Sequence, residues 1–152
     1  MTQEQKDLLL KDLSARLVYG VKAYIKNWSK LDRKYYEGVY TVKSAFPSLN
    51  EVHVQSETSS VNVIVGYDDY EIKPYLFPLS SMTEEQREEL YKIGWYLDED
   101  KIYSCFRNYD DVNYKTHTDC FELINWCYKN KFDINGLIPM GLANDATGLN
   151  IY

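Results

Sequence analysis

"GVYTVKSAFPSLNEVHVQSETSSVNVIVGY" (Gly38–Tyr67) decides the fold. Gly38–Phe46 is rich in β-branched and aromatic residues and stops at Pro47, which cannot donate to a strand ladder. Glu51–Ser56 alternates Val52 and Val54 with polar residues, and Val61–Tyr67 follows the turn-like "ETSS". A period of two with polar partners describes a strand with one wet face. Upstream, "YGVKAYI" (Tyr19–Ile25) sets Tyr19, Val21, Ala23 and Ile25 against Gly20, Lys22 and Tyr24. No helical pattern lies between these strands. Short strands joined by turn residues predict an antiparallel meander rather than βαβ units.

Helices flank the meander. Thr2 and Gln5 have the spacing of a capping box, and Leu9, Leu10, Leu13 and Leu17 recur on one helical face until Tyr19-Gly20. Asp7 and Lys11 can pair on the other face. "PLSSMTEEQREEL" (Pro78–Leu90) starts a second helix. Ser81 with Glu84, and Thr83 with Gln86, each fit a capping box. Glu84 and Glu85 suit the positive end of the dipole, Glu88 and Lys92 can pair, and Gly94 stops the helix. The echo between "MTQEQ" (Met1–Gln5) and "MTEEQ" (Met82–Gln86) is therefore two helix starts, not a repeat.

Lys101–Tyr109 reads as a further strand and Thr118–Asn130 as a third helix, with Phe121, Ile124 and Tyr128 on one face, Cys120 and Cys127 beside it, and Asn130 as terminator. The remaining "FDINGLIPMGLANDATGLNIY" (Phe132–Tyr152) is broken by Gly and Pro. It is expected to be irregular, with a short helical turn near Leu137–Leu142, and to dock through Leu149, Ile151 and Tyr152. The whole is an α+β fold in a single domain, 1–152. It has an N-terminal helix, an antiparallel strand meander forming a small curved sheet or SH3-like half-barrel, then two or more helices and an ordered irregular tail.

A chain of 152 residues can bury a core without disulfides or a structural metal. The balance of 17 basic and 23 acidic residues repels phosphate backbones, so direct nucleic-acid binding is not expected. The one basic stretch, "KAYIKNWSKLDRK" (Lys22–Lys34), reads as a solvated loop between two strands. No apolar run approaches the roughly 20 residues that span a membrane. The polar first residues resemble no secretory signal, and three cysteines suit free thiols in a reducing compartment. A cytoplasmic protein is expected. The 15 Tyr, with 3 Trp and 5 Phe, suit both strands and binding surfaces.

Cys105, His117, Cys120 and Cys127 offer the residue types zinc prefers. However, Cys120 and Cys127 stand two helical turns apart, roughly 10 Å along the axis, whereas two thiolates on one zinc lie within about 4 Å of each other. Both read instead as small core residues. "HTDC" (His117–Cys120) invites a Cys–His–Asp hydrolase, yet it also reads as a helix start with Thr118 as cap and Asp119 at the positive end. His53 falls on the polar side of a strand and reads as solvated. Asp68-Asp69, Asp98-Glu99-Asp100 and Asp110-Asp111 lack calcium-loop spacing and read as turns, and no glycine-rich phosphate loop exists. No catalytic residue, metal ligand or cofactor is assigned on this basis.

"LLLKDLSARLVYGV" (Leu8–Val21), "IKPYLFPLSSMTEEQ" (Ile72–Gln86) and "NKFDINGLIPMGLANDATGLNIY" (Asn130–Tyr152) together resemble a family of small proteins of unassigned function found in gut-bacterial genomes, their phages and mobile elements. The chain departs from that pattern at Val18, Phe77 and Leu79. The resemblance implies a small intracellular accessory protein and no mechanism. The expectation is a non-enzymatic domain, encoded by a phage or mobile element, that binds a protein partner through exposed Tyr and Trp on the open face of its sheet. The alternatives are an acidic decoy of a host nucleic-acid-binding protein, and a small metal protein or hydrolase built on Cys105, His117, Cys120 and Cys127.

Overall fold

The computed structural model describes residues 1–29, 34–65, 71–105 and 117–152. Its elements are α1 (Gln3–Arg16), β1 (Lys22–Ser29), β2 (Lys34–Phe46), β3 (Glu51–Gln55), β4 (Ser60–Ile64), β5 (Glu71–Leu76), α2 (Glu84–Lys92), β6 (Trp95–Asp98), β7 (Lys101–Ser104), α3 (His117–Lys129) and β8 (Asn144–Asp145). Short 3-10 turns cover Leu17–Tyr19, Pro47–Leu49 and Leu79–Ser81. No helix among the described residues is long and apolar enough to cross a membrane.

Strands β1 to β4 form the expected antiparallel meander. The chain then crosses to the far side of β1, where β5 pairs antiparallel, and β8 adds in parallel to β5. The order β4-β3-β2-β1-β5-β8 leaves β4 and β8 as edges, so the sheet is open and no barrel closes. Strand β6 pairs only with β7, in a separate hairpin. A bulge between Val42 and Ser44 bends β2, which pairs with β1 through its first part and with β3 through its last. The sheet curls enough for Asn27 Nδ2 of β1 to donate to the Asn62 carbonyl of β4 at 3.3 Å, although these strands are not neighbours.

The basic stretch is not the expected loop: Lys22–Ser29 is β1 itself, and Lys34 opens β2. The alternation of Val21, Ala23 and Ile25 runs on to Asn27, and all four are buried, while the lysines take the wet face. Tyr19 falls outside the strand because Gly20, at φ +68°, turns the chain after the Leu17–Tyr19 turn. The further strand expected over Lys101–Tyr109 is described only as far as Ser104, and residues 106–109 lie outside the described set.

Two of the three predicted capping boxes form. Gln5 N–H donates to Thr2 Oγ1 at 3.2 Å while Thr2 N–H donates to Gln5 Oε1 at 2.9 Å. The Thr83–Gln86 box repeats this at 3.3 and 2.9 Å. Ser81 does not cap: its hydroxyl donates to the Pro78 carbonyl. Asp7 accepts from Gln3 rather than pairing with Lys11, and the ion pairs among the described residues are Asp12–Arg16 and Glu71–Lys73, not Glu88–Lys92. Helix α3 ends in a Schellman motif with Lys131, not Asn130, in the left-handed conformation at φ +63°. Phe132 N–H donates to the Cys127 carbonyl, Lys131 N–H to the Tyr128 carbonyl, and the Phe132 ring stacks on Trp126 at 5.6 Å.

The tail is less irregular than expected. It supplies β8, and in place of a helical turn the Asp133 carboxylate accepts the Leu137 and Ile138 N–H groups at 2.8 and 2.7 Å, fixing a turn. Leu142 N–H closes that turn on the Leu137 carbonyl.

Two apolar clusters result. In the first, Leu9, Leu10 and Leu13 of α1 pack with Val21, Ala23, Ile25, Val52, Val54 and Val63 on one face of the sheet, joined by Leu137, Leu142 and Ala143 from the tail. In the second, Leu90 of α2, Cys127 of α3, Met82 and Phe132 pack with Leu123, Trp126 and the β6–β7 hairpin. The buried arc of α3 is thus Leu123, Trp126 and Cys127, while Phe121 and Ile124 of the expected apolar face are exposed. Between the clusters Arg16, fully buried, donates to both Asp12 carboxylate oxygens at 2.7 and 3.0 Å and to the Phe132 carbonyl at 2.8 Å.

Removing one partner of a buried pair strands the other charge, so Arg16→Met is expected to cost about 3–5 kcal/mol, and Arg16→Met with Asp12→Leu to recover much of that loss. Denaturant melts of the two variants check this; equal losses would contradict it. At the end of α3, Lys131→Gly is expected to stabilise by about 1 kcal/mol, since glycine carries no left-handed penalty. A thermal melt with no upward shift would contradict that expectation.

Candidate functional site

The parity of β1 and β2 sorts their side chains between two faces. One face carries the first core and α1. The other presents Lys22, Tyr24, Lys26 and Trp28 from β1, opposite Thr41, Val39, Glu37 and Tyr35 from β2. Strand β5 continues the rows, with Lys73 beside Tyr24 and Glu71 beside Lys26. Trp28 and Tyr35 end the face as a cross-strand pair with ring centroids 5.7 Å apart, and they remain 36% and 47% exposed. Val39 is also exposed.

Both glutamates on this face are engaged. Lys73 Nζ lies 2.8 Å from Glu71 Oε1. The Tyr24 hydroxyl donates to Glu37 Oε1 at 2.6 Å, and that bond, then desolvation and the negative charge nearby, push its pKa up to about 12. Tyr24 is therefore a neutral, already engaged donor at neutral pH. Beyond it lies an open groove of about 710 Å³ between β2, the β3–β4 turn and residues 150–151.

The Cys/His candidates lie elsewhere. Cys105 follows β7 and is partly buried, Cys120 is exposed on α3, and Cys127 is buried in the second core. Cys120 is therefore not the core residue the sequence suggests. Among the described residues no group of three or more His, Cys, Asp or Glu is placed to hold a metal. The side chain of His117 lies outside the described set, as do Asp68-Asp69, Asp110-Asp111, Lys30 and Arg33. Desolvation pushes the Cys127 thiol up to about 12, against a smaller opposing effect of Arg16, so this sulfur stays protonated and unreactive. Asp98, Glu99 and Asp100 occupy the tight β6–β7 turn, with Glu99 at φ +51°. His53 is not free in solvent: its Nε2 bonds the Ser60 hydroxyl across the β3–β4 pair.

Two features escaped the sequence reading. The Trp28–Tyr35 pair straddles the stretch read as a loop, and its signal was the alternation continuing through Lys26, Asn27 and Trp28. The Asp12–Arg16 pair sits inside the leucine stripe, at three and seven positions after Leu9, where an i,i+4 acid–base pair marks a buried bridge.

Comparisons of the chain with protein-family models, curated proteins and solved structures found no match.

Native thiol labelling tests the burial order. A maleimide at pH 8 is expected to modify Cys120 quickly and Cys127 only after unfolding; rapid native modification of Cys127, located by peptide mass spectrometry, would contradict its placement.

Proposed function

We propose that the chain is a non-enzymatic accessory domain that binds a protein partner through the open face of its sheet. The observation that carries this reading is the Trp28–Tyr35 pair, two large rings left exposed at one end of the open face, with Val39 also exposed two rows further along it. Trp and Tyr are the side chains most often found at the energetic centre of interfaces, because they bury much area with little entropy to lose. The balanced charges of Lys26, Glu37, Glu71 and Lys73 around them suit a polar rim rather than a nucleic-acid track. Origin in a phage or mobile element remains part of the proposal and rests on the family resemblance alone.

A second reading, the acidic decoy, draws on Glu84, Glu85, Glu88 and Glu89 of α2, which are exposed together. It requires that charge reversal on α2, not aromatic loss on the sheet, abolish binding.

Affinity capture from the native host's lysate separates the two. The first reading expects the proteins retained by the native chain to be lost with Trp28→Ala and Tyr35→Ala, at unchanged melting temperature, and kept with Glu85→Lys and Glu88→Lys. Identical capture by the native and Trp28→Ala chains would overturn it.

A further inference from the structure

The groove beyond Tyr24 has one wall that differs from the others. Its floor and far side come from the sheet and the β3–β4 turn, with Lys22, Thr41, Lys43 and Gln55 among the lining side chains, but the near wall is Asn150 and Ile151. We infer that segment 149–152 is a detachable strap over one end of the open face, a conformational device that engages the Lys22 ammonium at the wall of the groove and frees it when the segment lifts.

The attachment is specific. Lys22 Nζ donates to the Ile151 carbonyl at 2.5 Å, and Lys22 N–H donates to the Tyr152 hydroxyl at 3.2 Å. The same hydroxyl donates to the Tyr75 carbonyl at 2.6 Å. The β1–β5 ladder runs from Lys26 opposite Glu71 to Ala23 opposite Pro74. Lys22 opposite Tyr75 would be the next pair, and there the Tyr152 hydroxyl stands between the strands, accepting from one and donating to the other. Desolvation pushes this hydroxyl up to about 12, so it remains a donor throughout the neutral range. The ring is held more loosely, 6.1 Å from Phe77 and 5.4 Å from the Lys131 ammonium.

Beyond these contacts, among the described residues the Leu149 N–H bond to the Ala146 carbonyl at 3.0 Å also ties the strap. Leu149 and Tyr152 remain 49% and 44% exposed, and Asn150 is exposed between them. A segment with few buried contacts and exposed hydrogen bonds belongs to the low-stability end of local openings. Closed, it satisfies Lys22 with a main-chain carbonyl. Open, it leaves Lys22 and Lys43 as two ammonium groups lining one groove.

Competitive acetylation of the full chain with acetic anhydride, read by peptide mass spectrometry, tests the strap with Lys43 as internal reference. In the native protein Lys22 is expected to react about three- to tenfold more slowly than Lys43, the protection one hydrogen bond of ordinary net strength provides. Tyr152→Ala should bring Lys22 close to the Lys43 rate, and Tyr152→Phe, which keeps the ring and loses both hydroxyl bonds, should bring it part of the way. Equal rates in the native protein overturn the inference. So does persistent protection of Lys22 in both variants at native circular dichroism. If Tyr152→Ala fails to fold, the Tyr152→Phe comparison alone decides.

Discussion

The buried Asp12–Arg16 pair is the constraint on which the rest of the molecule depends. The guanidinium meets the Asp12 carboxylate, the Phe132 carbonyl and the Tyr128 ring, whose centroid lies 4.5 Å from Cζ, and Asp12 also accepts from Asn135 at 2.8 Å. Such a pair is a poor source of stability, because desolvating both charges offsets most of their attraction. One nitrogen, Nη1, has no hydrogen-bond partner among the described residues, which adds to the cost. What the cluster supplies is position. Leucines on α1 would tolerate several placements of a neighbouring apolar segment, but a forked donor accepts few. The pair therefore fixes where the end of α3 and the following residues meet α1, and so joins the two apolar clusters.

Consequences run outward from that joint along the chain. With Phe132 held, the main chain on either side pairs with Phe77: Phe77 N–H donates to the Lys131 carbonyl and Asp133 N–H to the Phe77 carbonyl. Asp133, nearly buried, then folds the next residues back by accepting two N–H groups, delivering Leu137, Leu142 and Ala143 to the sheet core. Ala146 N–H reaches the Leu76 carbonyl, β8 extends the sheet, and the segment turns onto the opposite face at Lys22. A tail interrupted by three glycines and a proline is ordered because polar groups fix it at intervals, not because it has strong propensity of its own.

The parts legible in the sequence are those set by local rules. Val52, Val54, Val61 and Val63 alternate as a half-buried pair of strands must, and both capping boxes involve residues only three apart. Long-range packing decided the rest. The alternation over Tyr19–Ile25 marks the first half of β1, but the charges that follow made its second half look like a loop, although a wet face is where a strand can carry lysines. On α3, the arc of Phe121 and Ile124 and the arc of Leu123, Trp126 and Cys127 are both apolar, and periodicity cannot choose between them. Only the position of α2 and the hairpin selects the second. Strand β8 was invisible because two residues of Asn and Asp have no strand propensity, and their pairing is dictated by Leu76 and Tyr75. The left-handed residue after α3 fell one position beyond the expected Asn because the Schellman bonds fix the register of the helix end, at the expense of strain in Lys131.

The same contrast bears on function. A one-layer sheet with α1 on one side must present its other side to water or to a partner. Water is adequately met by Lys26, which is exposed, and by Glu37, Glu71 and Lys73, of which Glu71 pairs with Lys73 and Glu37 accepts from Tyr24. It is not adequately met by Trp28 and Tyr35, whose rings meet each other while a third or more of each stays exposed. Segment 149–152 answers the same demand at the opposite end of the face, where it meets Lys22 with the Ile151 carbonyl and the Tyr152 hydroxyl. That segment is continuous with the residues seated on Arg16, so the anchor inside the molecule and the wall of the groove are two ends of one stretch of chain. The polar joint between the clusters thereby sets how much of the open face the chain covers for itself, and the aromatic end is the part it leaves uncovered.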